Sequence, residues 1–159
     1  MSLSLTSAEA VAAEVLARIG AVSTANGYET NLGAKVFAGR RSVDPSMLPC
    51  ATLIEADDEI QDLTNMRIGV PQAEIKQHYV MYAYLECDPD HPNTMAHKAI
   101  RDFKRVIFNT DGKPDASFGR KVREVRYLGR DISPRADGSA TVVAAIEITV
   151  QFVESLSAP

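Results

Sequence analysis

The sequence predicts an α+β (mixed α/β) single domain in the order helix–three strands–helix–two strands, with a mostly antiparallel or mixed sheet and two helices packed on it. Three observations carry that expectation. Ala140–Val153, ATVVAAIEITVQFV, alternates: Val142, Ala144, Ile146, Ile148, Val150 and Phe152 are apolar, and Thr141, Glu147, Thr149 and Gln151 stand between them. Period two places one face of a strand in a core and the other near water, and β-branched residues suit such a surface. Ile75–Cys87, IKQHYVMYAYLEC, is apolar on both faces from Tyr79 to Leu85. A strand of that kind is covered on both sides, by helices or by a partner chain. Finally, two separate segments carry apolar residues at helical spacing.

The first helix opens at Thr6 or Ser7, since Thr6 with Glu9 forms a capping-box pattern and Ser7 competes with it. Val11, Val15, Ile19 and Val22 form its core stripe, and Asn26-Gly27 is a turn signal that ends it. Tyr28–Arg40 reads as a strand on the alternation of Leu32, Ala34, Val36 and Ala38, weakened by Gly33 and Gly39. Arg40-Arg41 lead into a loop, because Pro45 and Pro49 exclude a central strand.

Cys50–Ile60 begins as the second strand and runs into Glu55, Asp57, Asp58 and Glu59. Four close carboxylates raise a metal reading. Their spacing matches no calcium loop, which also needs a mid-loop glycine, so a solvated strand end or subunit contact is favoured. A loop over Leu63–Gln72 leads to the third strand. Cys87, Asp88, Asp90, His91 and His97 lack the paired spacing of a zinc site and read as a strand-to-helix loop.

The second helix opens at Asn93 or Thr94 and buries Ala96, Ala99, Ile100, Phe103, Val106 and Ile107; Asn109, Asp111 and Gly112 end it. Lys98, Arg101, Asp102, Lys104 and Arg105 read as a solvated face with a basic patch. Val122–Arg130 is the fourth strand, joined to the last by a turn at Asp137-Gly138.

At 159 residues the chain fits one domain, 1–159, with residues 1–6 and 155–159 expected to fray. A net charge of −4 argues against a nucleic-acid footprint, so no direct nucleic-acid specificity is expected. Two cysteines make no disulfide framework, and no apolar run spans a bilayer, so a cytoplasmic protein without membrane contact is expected. There is no Gly-rich nucleotide loop and no Gly-x-Ser-x-Gly, and none of the three histidines sits beside a nucleophile in a recognised motif. The expectation is therefore no enzyme, no cofactor and no metal.

Residues 36–60, VFAGRRSVDPSMLPCATLIEADDEI, residues 96–108, AHKAIRDFKRVIF, and the closing strand pair together resemble the tail terminator proteins of tailed bacteriophages, also called tail completion or minor tail proteins of the lambda U type. The resemblance implies a structural virion protein. It would be a homo-oligomeric ring, a hexamer in the family, that caps the tail tube and meets the head completion or connector protein. Such a protein resides in the virion tail, and in the host cytoplasm during assembly. The family has no catalytic residues to carry over.

The charges are compatible with such a ring. Glu55, Asp57, Asp58 and Glu59 are candidates to meet basic residues of a neighbour or of the tail tube, with Arg40, Arg41, Arg123 and Arg126 as the basic partners. The loop from Arg41 to Pro49, with Asp44, is a second candidate contact. Competing readings are another head–tail connector, a tail tube subunit, or a cytosolic metal- or ligand-binding domain.

Overall fold

A computed structural model describes residues 5–62, 69 and 71–158. Helix α1 spans Ala8–Gly20 and buries Val11, Val15 and Ile19 at four-residue steps. Its cap is Ser7, whose Oγ accepts from the Ala10 N–H at 3.1 Å, so the helix starts from the competing cap and not from Thr6. Leu5 bridges to Val153, and the Thr6 N–H donates to the Val153 carbonyl at 3.0 Å.

The strand expected over Tyr28–Arg40 shrinks to β1, Val36–Ala38, preceded by a 3₁₀ turn at Leu32–Ala34. The reason is a close backbone approach. A Cβ on Gly33 would stand 2.5 Å from the Gly20 carbonyl oxygen, and the Gly33 N–H donates to the Val22 carbonyl at 2.8 Å. The segment is thus docked on the end of α1, with Leu32 fully buried, and only its last residues are free to join a sheet.

Strand β2 spans Cys50–Asp62 and β3 spans Gln72–Glu86. Most of the loop expected at Leu63–Gln72 lies outside the described residues. Helix α2, Pro92–Ile107, starts earlier than expected, with Pro92 in its first turn and His91 at the cap without a capping side-chain bond. After it, β4 (Asn109–Thr110) and β5 (Lys113–Pro114) form a small hairpin around Asp111 and Gly112, both at positive φ as a tight two-residue turn requires. Strands β6, Glu124–Ile132, and β7, Thr141–Ser155, complete the chain.

The main sheet has the order β1-β2-β3-β7-β6. β1 runs parallel to β2, and the remaining pairs are antiparallel. Its spine is the β3–β7 ladder, unbroken from Gln72↔Ser155 to Glu86↔Thr141. One face carries Tyr79, Met81 and Leu85 of β3 and Ile146, Ile148 and Phe152 of β7, buried in one core with α1 and with Ile100, Phe103 and Ile107 of α2.

The other face of β3, expected to be covered, has no helix layer among the described residues, and Val80, Tyr82 and Tyr84 are half-buried there. The segment after β1 crosses part of it: the Thr52 hydroxyl donates to the Arg40 carbonyl at 2.9 Å, and the Tyr84 hydroxyl lies 3.5 Å from the Arg41 carbonyl.

Asp102 departs from the expected solvated face. It is buried at 2% exposure and accepts from the Glu29 N–H, the Thr30 N–H and the Thr30 hydroxyl at 3.0, 2.8 and 2.6 Å. Around it the basic side chains are engaged within the chain. Arg101 makes a two-pronged pair with Glu29, and Arg105 donates to the Gly27 carbonyl while stacking on Tyr28.

Candidate assembly interface

β2 changes character at Glu55. Cys50 to Ile54 are buried, and Glu55 to Gln61 are exposed. β1 reaches only to Ala38, opposite Leu53, so beyond that point the outer edge of β2 has no partner strand among the described residues. The β2–β3 register shifts between Glu55 and Asp58, a bulge at Ala56 and Asp57 where the Gln77 amide donates to the Ala56 carbonyl at 2.7 Å.

Glu55, Asp57, Asp58 and Glu59 therefore lie along one free, solvated strand edge. Within the described residues, none of them forms an ion pair. Glu59 stands opposite Lys76 in the ladder and accepts from the Gln61 amide at 3.2 Å. Among the described residues no three His, Cys, Asp or Glu side chains are grouped to hold a metal ion. Ile60, in the same run, is 63% exposed. Behind Glu55, Tyr79 is fully buried and its hydroxyl has no hydrogen-bond partner among the described residues; burial and the Glu55 charge push its ionisation far up.

Of Arg40, Arg41 and Asp44, Arg41 is the residue brought against Glu55. The Arg40 guanidinium stacks 4.3 Å over the Phe37 ring, with Nη1 3.6 Å from Met47 Sδ. Arg41 shares a cleft of about 230 Å³ with Glu55, Ala12, Leu16 and Leu53. Asp44 caps a 3₁₀ turn at Pro45–Met47: its carboxylate accepts from the Ser46 N–H at 2.8 Å, and that bond holds its carboxyl below the usual range.

Arg126 lies at the far edge of the sheet, on β6, with β3 and β7 between its strand and the acids, and Arg123 immediately precedes β6. Arg123 is paired within its own chain with Glu74, a carboxylate only 3% exposed that also accepts from the Gln151 amide at 2.8 Å. Arg126 reaches Glu124 at 3.1 Å and is well exposed. The fold thus brings Arg41 beside Glu55, leaves Arg126 at the opposite edge, and carries the Arg123 guanidinium across to Glu74 of β3.

Sequence reasoning missed what else lines the β6 edge. Leu128 is 44% exposed at a bulge between Tyr127 and Gly129. Lys104 lies 4.8 Å over the Tyr127 ring, and Arg130 Nη1 is 3.1 Å from His97 Nδ1. The glycine that interrupts the alternation of β6 was the available signal for the bulge.

The fold is similar to that of a chain in a solved virion structure. That chain, one of several that match, comes from the virion of a native gene transfer agent (GTA) particle, at a TM-score of 0.55 and 9% identity, covering 92% of this chain and 98% of that one. Similarity at that identity is a similarity of fold. No family model and no curated protein matches the sequence.

A cavity of about 730 Å³ between α1, α2 and the residues after α2 is the alternative place for chemistry. Its polar groups are occupied with each other. Arg18 donates to Glu14, the Asn109 carbonyl and the Thr110 hydroxyl at 3.0, 2.7 and 2.8 Å and stacks on Phe118, and Lys121 reaches Glu14 at 2.9 Å. Burial opposes ionisation of Glu14, but the hydrogen bonds from Lys121 and Arg18 outweigh it and keep its carboxyl below the usual range. That arrangement ties α1 to the chain after α2.

Proposed function

We propose that the chain is a structural protein of a phage-like virion, a ring-forming tail terminator that caps the tail tube and joins tail to head. One observation carries this reading: the fold extends over nearly the whole of both chains in the match to the gene transfer agent virion chain. The resemblance of residues 36–60 and 96–108 to tail terminators supplies the narrower assignment. The chain works by contact in this reading and not by catalysis. Its partners are other copies of itself, the tail tube protein and the head completion protein.

A free, acidic strand edge opposite a second edge with exposed arginines suits heterologous contacts, which close into a ring when the rotation between copies closes. Complementary charge then fixes register more than it adds affinity. Light scattering over a wide concentration range, with negative-stain images of the same samples, tests the reading. Closed rings of about six subunits, the family's number, are the expected outcome. Open stacks would overturn it in favour of a tail tube subunit.

A further inference from the structure

We propose that the two edges of the main sheet are the two halves of one contact between copies: the outer edge of β2 docks on the β6 edge of the next copy, with Ile60 seated against Leu128 and Asp58 and Glu59 facing Arg126 and Arg130. The inference rests on the ring reading above and names the surfaces it would use. Both edges lack a neighbouring strand among the described residues. Each carries a large apolar side chain in water, Ile60 at 63% and Leu128 at 44% exposure. Among the described residues the acids of one edge form no ion pair, and the other edge presents exposed arginines, of which Arg126 also reaches Glu124. What each edge lacks, the other edge of the same chain supplies, so the occupant is a second copy.

Charged side chains and bulges on a strand edge also serve to prevent pairing. Here the bulge beside Asp58 and the bulge at Leu128 do break any continuous backbone ladder across the seam. They do not remove the exposed apolar side chains, which a purely protective edge has no reason to keep. The seam is therefore made by side chains.

The register fixes its geometry. Ile60 lies level with Phe152 of β7, through Ile75, whereas Leu128 lies between the levels of Ile148 and Glu147. That offset is about 15 Å along the strands.

The test mixes two variants, Ile60→Cys and Leu128→Cys, each in a Cys87→Ser background, with one carrying a size tag. A short bifunctional maleimide reads proximity without demanding disulfide geometry. Linked heterodimers several-fold above those from Leu128→Cys mixed with Lys113→Cys are expected. Yields no higher than that control, or predominant Ile60→Cys homodimers, overturn the inference. Closed rings without the link would sink this contact and leave the terminator reading standing. Linked but open chains would keep the contact and overturn the terminator.

Discussion

Asp102 joins elements that sequence reasoning treats separately. A carboxylate at 2% exposure, accepting three hydrogen bonds from Glu29 and Thr30, fixes the segment after α1 on α2. Hydrogen bonds to a charged group contribute about 1.5–3 kcal/mol, and orphaned buried donors cost as much again. Asp102→Ala is therefore expected to lower unfolding free energy by about 3 kcal/mol in urea titrations. Helical spacing placed Asp102 among solvated charges because its partners lie far away in sequence. Arg123 was legible as an arginine able to pair with an acid across strands or chains, but not that the acid is Glu74, which belongs to another strand. Asp115 adds a pH dependence. Hydrogen bonds from the Ser117 hydroxyl, the Gly119 N–H and the Thr110 hydroxyl hold its carboxyl far below the usual range. A depressed folded-state value means the contribution is present above about pH 4 and is lost as pH falls toward the folded value. In acid titrations of melting temperature, Asp115→Asn is expected to show a shallower loss below that pH than the unmodified chain.

At the scale of elements, periodicity was legible wherever one element decides its own environment. The alternation of β7 and the apolar stripes of both helices correspond to what is buried. It failed at residues 28–40, where the decision belongs to two elements at once. Gly33 is small so that backbone can lie against the end of α1, and nothing in its own neighbours says so. Gly33→Ala is expected to destabilise by about 1–3 kcal/mol, through the contact its Cβ would make with the Gly20 carbonyl, read by thermal unfolding. Gly39, whose added Cβ meets nothing within 4 Å, has positive φ, so its substitution reports backbone strain instead. The acidic run shows the opposite limit. Its composition was plain, but that it forms the free edge of β2 follows from β1 stopping at Ala38.

For the whole molecule, the charges of β2 decide between a tolerated surface and a working one. Each aspartate-to-lysine exchange adds two positive charges, so Asp57→Lys with Asp58→Lys takes the net charge from −4 to zero. Both positions are exposed, and neither is paired among the described residues, so the variant should fold with an unchanged circular dichroism spectrum. Sedimentation is expected to show it monomeric under conditions where the unmodified chain assembles. Normal assembly by the variant would exclude this edge from the interface. Raising salt from about 0.05 to 1 M should weaken assembly of the unmodified chain in the same direction, since screening acts on exposed charges.

The central ladder also sets an order of events during synthesis. β3 pairs with β7 over its full length, yet β7 is translated only after α2, the small hairpin and β6. At roughly 5–20 residues per second the ribosome leaves β3 without that neighbour for several seconds. During that interval the emerging chain presents a long apolar strand with one side unzipped, and β2 is its available partner. The same edge that completes the fold is thus the one most in need of a chaperone before β7 arrives.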